Sequence, residues 1–279
     1  VTYNNLADEP SDIERNITVI ASDGIAFSVQ RTATVQIEMV NDSPRIDVHT
    51  IESHFADFTM LEDVPTTGDT IQYLFSGVDA ISDSDSGSIA GIAIFHADNT
   101  HGEWQIKQNV SNDWALLDPS ESKAFLMLLT DKKHLRFQPS RDFNGKTSIN
   151  FVAWDYTECQ SCSTGDITGR ASSTDAYGDE VATITLTVIP VNDAPVLSFD
   201  VLGGNPVVKL NNITEDDLSS TGAFNLVSDL VDNLELSDVD GDSDFGIAIF
   251  EADQNNGVWE YANVSYDINM LSSSFAPIG

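Results

Sequence analysis

The chain has 279 residues, 41% of them hydrophobic, which is enough apolar material for packed cores, and its 45 acidic against 12 basic residues give a formal charge of -33. A surface that acidic repels nucleic acid and anionic membranes, which excludes both as partners, and self-repulsion on this scale makes divalent cations the first partners to expect. The longest apolar runs, such as Ala124–Thr130, fall far short of the ~18 residues of a membrane span, and nothing at Val1 reads as a signal peptide, so any targeting segment is expected outside these residues.

In chain order the pattern is that of strands. Val1–Tyr3, Ile17–Ala21 and Ala33–Val40 alternate or run apolar between polar turn clusters, and Val40-Asn-Asp-Ser-Pro44 then reads as a linker. Further strands are expected at Gly91–Phe95, Leu135–Phe137, Ile149–Ala153 and Ile184–Ile189. A second linker, Val191-Asn-Asp-Ala-Pro195, precedes strands expected at Asp200–Leu210, Phe224–Val227, Gly246–Phe250 and Val258–Ala262. No segment sustains a helical stripe over three turns, although the acidic stretch Ser228–Leu236 has room for a short helical turn. The class is all-β.

Self-comparison exposes a repeat. Gly91-Ile-Ala-Ile-Phe-His-Ala-Asp-Asn-Thr-His-Gly-Glu-Trp104 matches Gly246-Ile-Ala-Ile-Phe-Glu-Ala-Asp-Gln-Asn-Asn-Gly-Val-Trp259 at an offset of 155 residues, and the two linkers match at an offset of 151. Glu62-Asp63 matches Glu215-Asp216, and Ser82–Asp85 matches Ser237–Asp240. One complete copy therefore occupies residues 44–193. Because Ile149–Asp155 aligns with Ile17–Asp23, residues 1–43 read as the C-terminal half of another copy, and residues 194–279 read as an N-terminal half. Two explanations fit: a window on a longer tandem array, or subunits whose tails and heads complete one another. Trp104, Trp154 and Trp259 are expected in cores, since aromatics at strand spacing are usually packing residues.

These motifs in order, with Leu135-Arg-Phe137, Asp142-Phe-Asn-Gly145 and Ala153-Trp-Asp155, resemble the cadherin-like tandem repeats of large bacterial and algal surface proteins. The resemblance implies a Greek-key sandwich of about seven strands, akin to immunoglobulin-like domains, with Ca²⁺ commonly at the junctions. The first junction departs from the pattern, with Ser-Asp-Ser-Asp-Ser-Gly in place of Asp-Gly-Asp and with Asp42-Ser-Pro in place of Asp-Ala-Pro.

Ca²⁺ takes six to eight oxygens, and the carboxylates and amides near the module boundaries are its candidate ligands. At the second junction these are Asp155, Asn192, Asp193, Glu215, Asp216, Asp238, Asp240 and Asp242. At the first they are Asp23, Asn41, Asp42, Glu62, Asp63, Asp83 and Asp85. The competing reading makes the same residues turn caps, which Asp and Asn favour anyway. Cys159 and Cys162 lie in one loop without the second ligand pair of a zinc site, which leaves a local disulfide, the favoured reading, or free thiols. Sequons stand at Asn16, Asn41, Asn109, Asn212 and Asn263, of which Asn109 and Asn263 follow the matched tryptophans. Ser- and Thr-rich loops such as Ser161–Thr164 are candidates for O-linked sugar.

No metal-protease pair, nucleophile elbow or cleft-flanking carboxylate pair is legible, so the chain is expected not to be an enzyme. The expected role is a structural subunit of an extracellular, glycosylated filament or surface fibre, assembled from copies of itself head-to-tail. A calcium-dependent adhesin or receptor ectodomain is the alternative, and an accessory module of a carbohydrate-active enzyme is a third.

Overall fold

The computed structural model describes residues 2–7, 9–64, 66–107, 113–170, 175–198, 235–241 and 245–261, with residues 212, 228, 276 and 277. The protein is all-β, and the chain divides into two compact units, Val1–Val191 and Asn192–Gly279.

The first unit opens with a hairpin of β1 (Arg15–Val19) and β2 (Arg31–Val35), paired so that Ile17 faces Ala33. Two short strands, β3 (Arg45–Ile46) and β6 (Ile81–Ser82), then pair across the entry to the module. Its larger sheet contains β4 (Thr59–Leu61), β7 (Gly91–Ala97), β10 (Ala124–Leu128), β12 (Gly145–Trp154), β13 (Thr164–Gly165) and β14 (Ala182–Ile189), in the order β13-β10-β7-β12-β14-β4. All neighbours in it are antiparallel except β14 and β4. The smaller sheet runs β5 (Asp69–Thr70), β11 (His134–Pro139), β8 (Gly102–Lys107), β9 (Ala115–Leu116).

Period-two burial explains the arrangement. Along β14, Ala182, Ile184, Leu186 and Val188 are buried while the threonines between them face outward, as a strand with one core face requires. Ile92 and Ile94 of β7, Phe151 of β12, Trp104 of β8 and Phe137 of β11 meet in one core shared by both sheets. The end of β12 is buried on both faces, because Val152 and Trp154 pack into a second cluster with Leu126, Ile167 and Tyr177.

Two helices were not legible as a stripe. α1 (Val48–His54) and α2 (Ile71–Leu74) span only two turns and one turn, too short to display a 3.6-residue period. Their caps carry the signal instead: the Asp47 and Thr70 side chains accept from the amides of Thr50 and Tyr73. Ile51, Ile71 and Leu74 then plug the core between the sheets.

In the second unit β15 (Val196–Ser198) pairs with β16 (Glu235–Ser237), and β17 (Glu260–Tyr261) with β18 (Ala276–Pro277). Expectation and structure differ here. Residues 246–250 form no strand, and Glu235–Leu236 are strand where a helical turn was expected. The strands expected at Asp200–Leu210 and Phe224–Val227 lie outside the described residues. Trp104 and Trp154 are core residues as expected, but Trp259 is 46% exposed. Trp104 packs against Phe137 and donates its indole N–H to Thr147, both far from it in the chain, whereas the Trp259 indole donates to the carbonyl of Asp253, six residues away.

Candidate metal centre

The topology decides which acidic residues share an end of the first module. β12 runs antiparallel to β14, so Asp155, the residue after β12, lies at the end where the chain enters through residues 41–44. β4 runs parallel to β14 with Leu61 opposite Ile189, so Glu62 lies at the other end, where the chain leaves. Asp155 and Glu62 therefore exchange the places that linear order assigns them. Asp155 belongs with the first linker, and Glu62 stands one residue beyond the strand pair that ends the module.

At the entry end, Asn41 donates from Nδ2 to Asp155 Oδ2 at 2.8 Å, and Asp155 Oδ1 accepts from the amide and hydroxyl of Thr157. The Asp42 amide donates to Asp85 Oδ2 at 2.8 Å, and the Asp85 amide donates to Asp83 Oδ1 at 2.8 Å. Asp155 is only 3% exposed, and Asp83 Oδ2 is buried without a hydrogen-bond partner. Burial raises the Asp83 pKa above the ordinary carboxylate value, opposed by the Asp85 amide and reinforced by the charges of Asp85, Asp155 and Asp42. A cation would relieve that repulsion. Asp23, the counterpart of Asp155, is engaged in its own turn, where Oδ1 accepts from the amides of Ile25 and Ala26 and its pKa is lowered by them.

At the exit end, Glu62 is buried, accepting the Val191 amide at 2.7 Å on Oε1 and Asn144 Nδ2 on Oε2. Beside it in sequence, Asp63 approaches Asp142, their carboxylate oxygens lying within 4.8 Å of each other. Asp142 opens the Asp142-Phe-Asn-Gly145 motif and was not among the ligand candidates; its backbone is left-handed, with φ 56°.

The second unit repeats the linker geometry by itself. The Asp193 amide donates to Asp240 Oδ2 at 2.7 Å, the Asp240 amide to Asp238 Oδ1 at 3.0 Å, and Asn192 Nδ2 to the Asp193 carbonyl. Asp193 and Asp240 offer carboxylate oxygens within 4.8 Å of each other, a separation one metal ion can bridge. Acidic groups in this protein are thus placed where they could hold a metal ion. Glu215, Asp216 and Asp242 lie outside the described residues.

Cys159 and Cys162 are joined by a disulfide that closes the loop after β12. Asn16 and Asn212 are exposed, whereas the Asn41 amide is committed to Asp155; Asn109 and Asn263 lie outside the described residues. Among the described residues no helix is long and apolar enough to cross a membrane. No protein-family model, curated protein or solved structure gives a significant match to the chain.

Proposed function

We propose that the chain is a structural subunit of an extracellular, glycosylated filament or surface fibre, built of tandem cadherin-like β-sandwich modules that Ca²⁺ stiffens at their junctions. In this reading copies join head-to-tail, the role is mechanical, and no catalysis is involved. The observation that carries it is the β1–β2 hairpin, whose Ile17, Val19 and Val35 are exposed although their counterparts Ile149, Phe151 and Leu186 are core. Natural sheets rarely leave an apolar face and open edges in water unless something pairs with them. Ca²⁺ is the cation of choice because the gathered donors are all oxygens and the formal charge of -33 needs neutralising.

Electron microscopy of the purified chain in millimolar Ca²⁺ should show linear polymers that chelator shortens or dissolves. The thermal midpoint should fall in chelator, because an ion bound only to the folded state stabilises it by mass action. A monodisperse monomer with the same melt in both conditions would overturn the reading.

A further inference from the structure

The head hairpin reproduces one specific strand pair of the complete module. In the module Ile149 of β12 pairs with Ile184 of β14; in the hairpin Ile17 pairs with Ala33. Sequence alignment places Ile149 on Ile17 at an offset of 132 and Ile184 on Ala33 at the linker offset of 151, so two independent offsets converge on one observed register. β1 is therefore the counterpart of β12, and β2 of β14. On its other edge β12 pairs antiparallel with β7, setting Phe151 opposite Ile94, Val152 opposite Ala93 and Ala153 opposite Ile92. Among the described residues β1 pairs with β2 alone, which leaves the same edge of β1 open. The counterpart of β7 is the segment Gly246–Ala252, which forms no strand and leaves Ile249 55% and Phe250 96% exposed.

Resting on the head-to-tail reading, we infer that β1 of one copy, extended through Ile20 and Ala21, adds antiparallel to residues 246–252 of a second copy, with Val19 opposite Ile249, Ile20 opposite Ala248 and Ala21 opposite Ile247. Backbone hydrogen bonds supply the pairing, and the apolar alternation fixes its register, since a one-residue slip would turn every side chain to the wrong face. Val19 and Ile249 then meet on the core face, as Phe151 and Ile94 do. The tail already meets one need of that core locally. Trp104 reaches the Asp98 carbonyl through the Thr147 hydroxyl, a position that Arg15 occupies in the head, whereas the Trp259 indole donates directly to the Asp253 carbonyl at 2.8 Å.

The test mixes full-length Val19→Cys chains with full-length Ile249→Cys chains in millimolar Ca²⁺ under mild oxidation, so that any link between the two sites joins different copies. Both positions are exposed, and neither change touches a formed core. Peptide mapping should find the Val19–Ile249 link about tenfold more often than the link in a mixture of Ile20→Cys and Ile249→Cys chains, because a disulfide demands facing Cβ atoms. Equal yields in the two mixtures would overturn the register while leaving association intact. Absence of both links in polymers that microscopy still detects would overturn this surface but not the fibre. Absence of both links from a chain that stays monomeric would overturn both.

Discussion

Gly91–Trp104 and Gly246–Trp259 match at nine of fourteen positions, yet the first contributes a strand to each sheet, with Ile92, Ile94 and Trp104 in the core, and the second is an exposed, mostly irregular segment. What survives in both is local. Asp98 Oδ1 accepts the Thr100 amide at 3.0 Å, and Asp253 Oδ1 accepts the Asn255 amide at 2.9 Å. What differs needs partners distant in sequence: β7 is a strand because β10 and β12 flank it, and Trp104 is 1% exposed with Phe137 packed on its ring and Thr147 accepting its indole N–H. Turn chemistry is written within three residues, whereas a strand exists only where another strand satisfies its edges.

The largest way to break this comparison is truncation of the two tryptophans. Trp104→Ala should cost the first unit about 3–5 kcal/mol in urea unfolding, through lost burial and the cavity left behind. Trp259→Ala in the monomer should stay within about 0.5 kcal/mol, as a change on an exposed surface does. Equal losses would mean that the tail builds a closed core of its own.

A smaller effect separates the junction carboxylates. The folded state raises the Asp83 pKa, so the protonated form is favoured on folding, and the stability this brings is present at low pH and lost as pH rises through the raised value. Asp83→Asn should therefore raise the calcium-free melting temperature at neutral pH and reduce the gain on adding Ca²⁺. A melt that responds to Ca²⁺ as the parent does would remove Asp83 from the site.

The smallest effect sharpens the local half of the comparison. Asp98→Ala and Asp253→Ala each remove one side-chain-to-amide bond, and each should cost about 1 kcal/mol or less in local stability. Hydrogen exchange at the Thr100 and Asn255 amides would read both, and the two protections should fall alike. Protection lost at Thr100 alone would show that the tail turn contributes nothing in solution.

Much of this is legible in the sequence. The repeat located both linkers, the alternation of residues 184–189 announced most of β14, and the Asp-x-Asp pairs 83/85 and 238/240 already contain the spacing of their amide bonds. The short helices escaped because one or two turns show no period. The partition of carboxylates escaped because linear order is blind to strand direction: Asp155 and Glu62 changed places once β12 proved antiparallel, and β4 parallel, to β14.

By itself the sequence determined the all-β class, the modular period and the turns, because these depend on alternation and on contacts within a few residues. The tertiary structure alone decided which carboxylates meet, where Trp259 lies and which sheet edges stay open. Each of those depends on segments far apart in the chain arriving together, and burial rewards a residue only when they do.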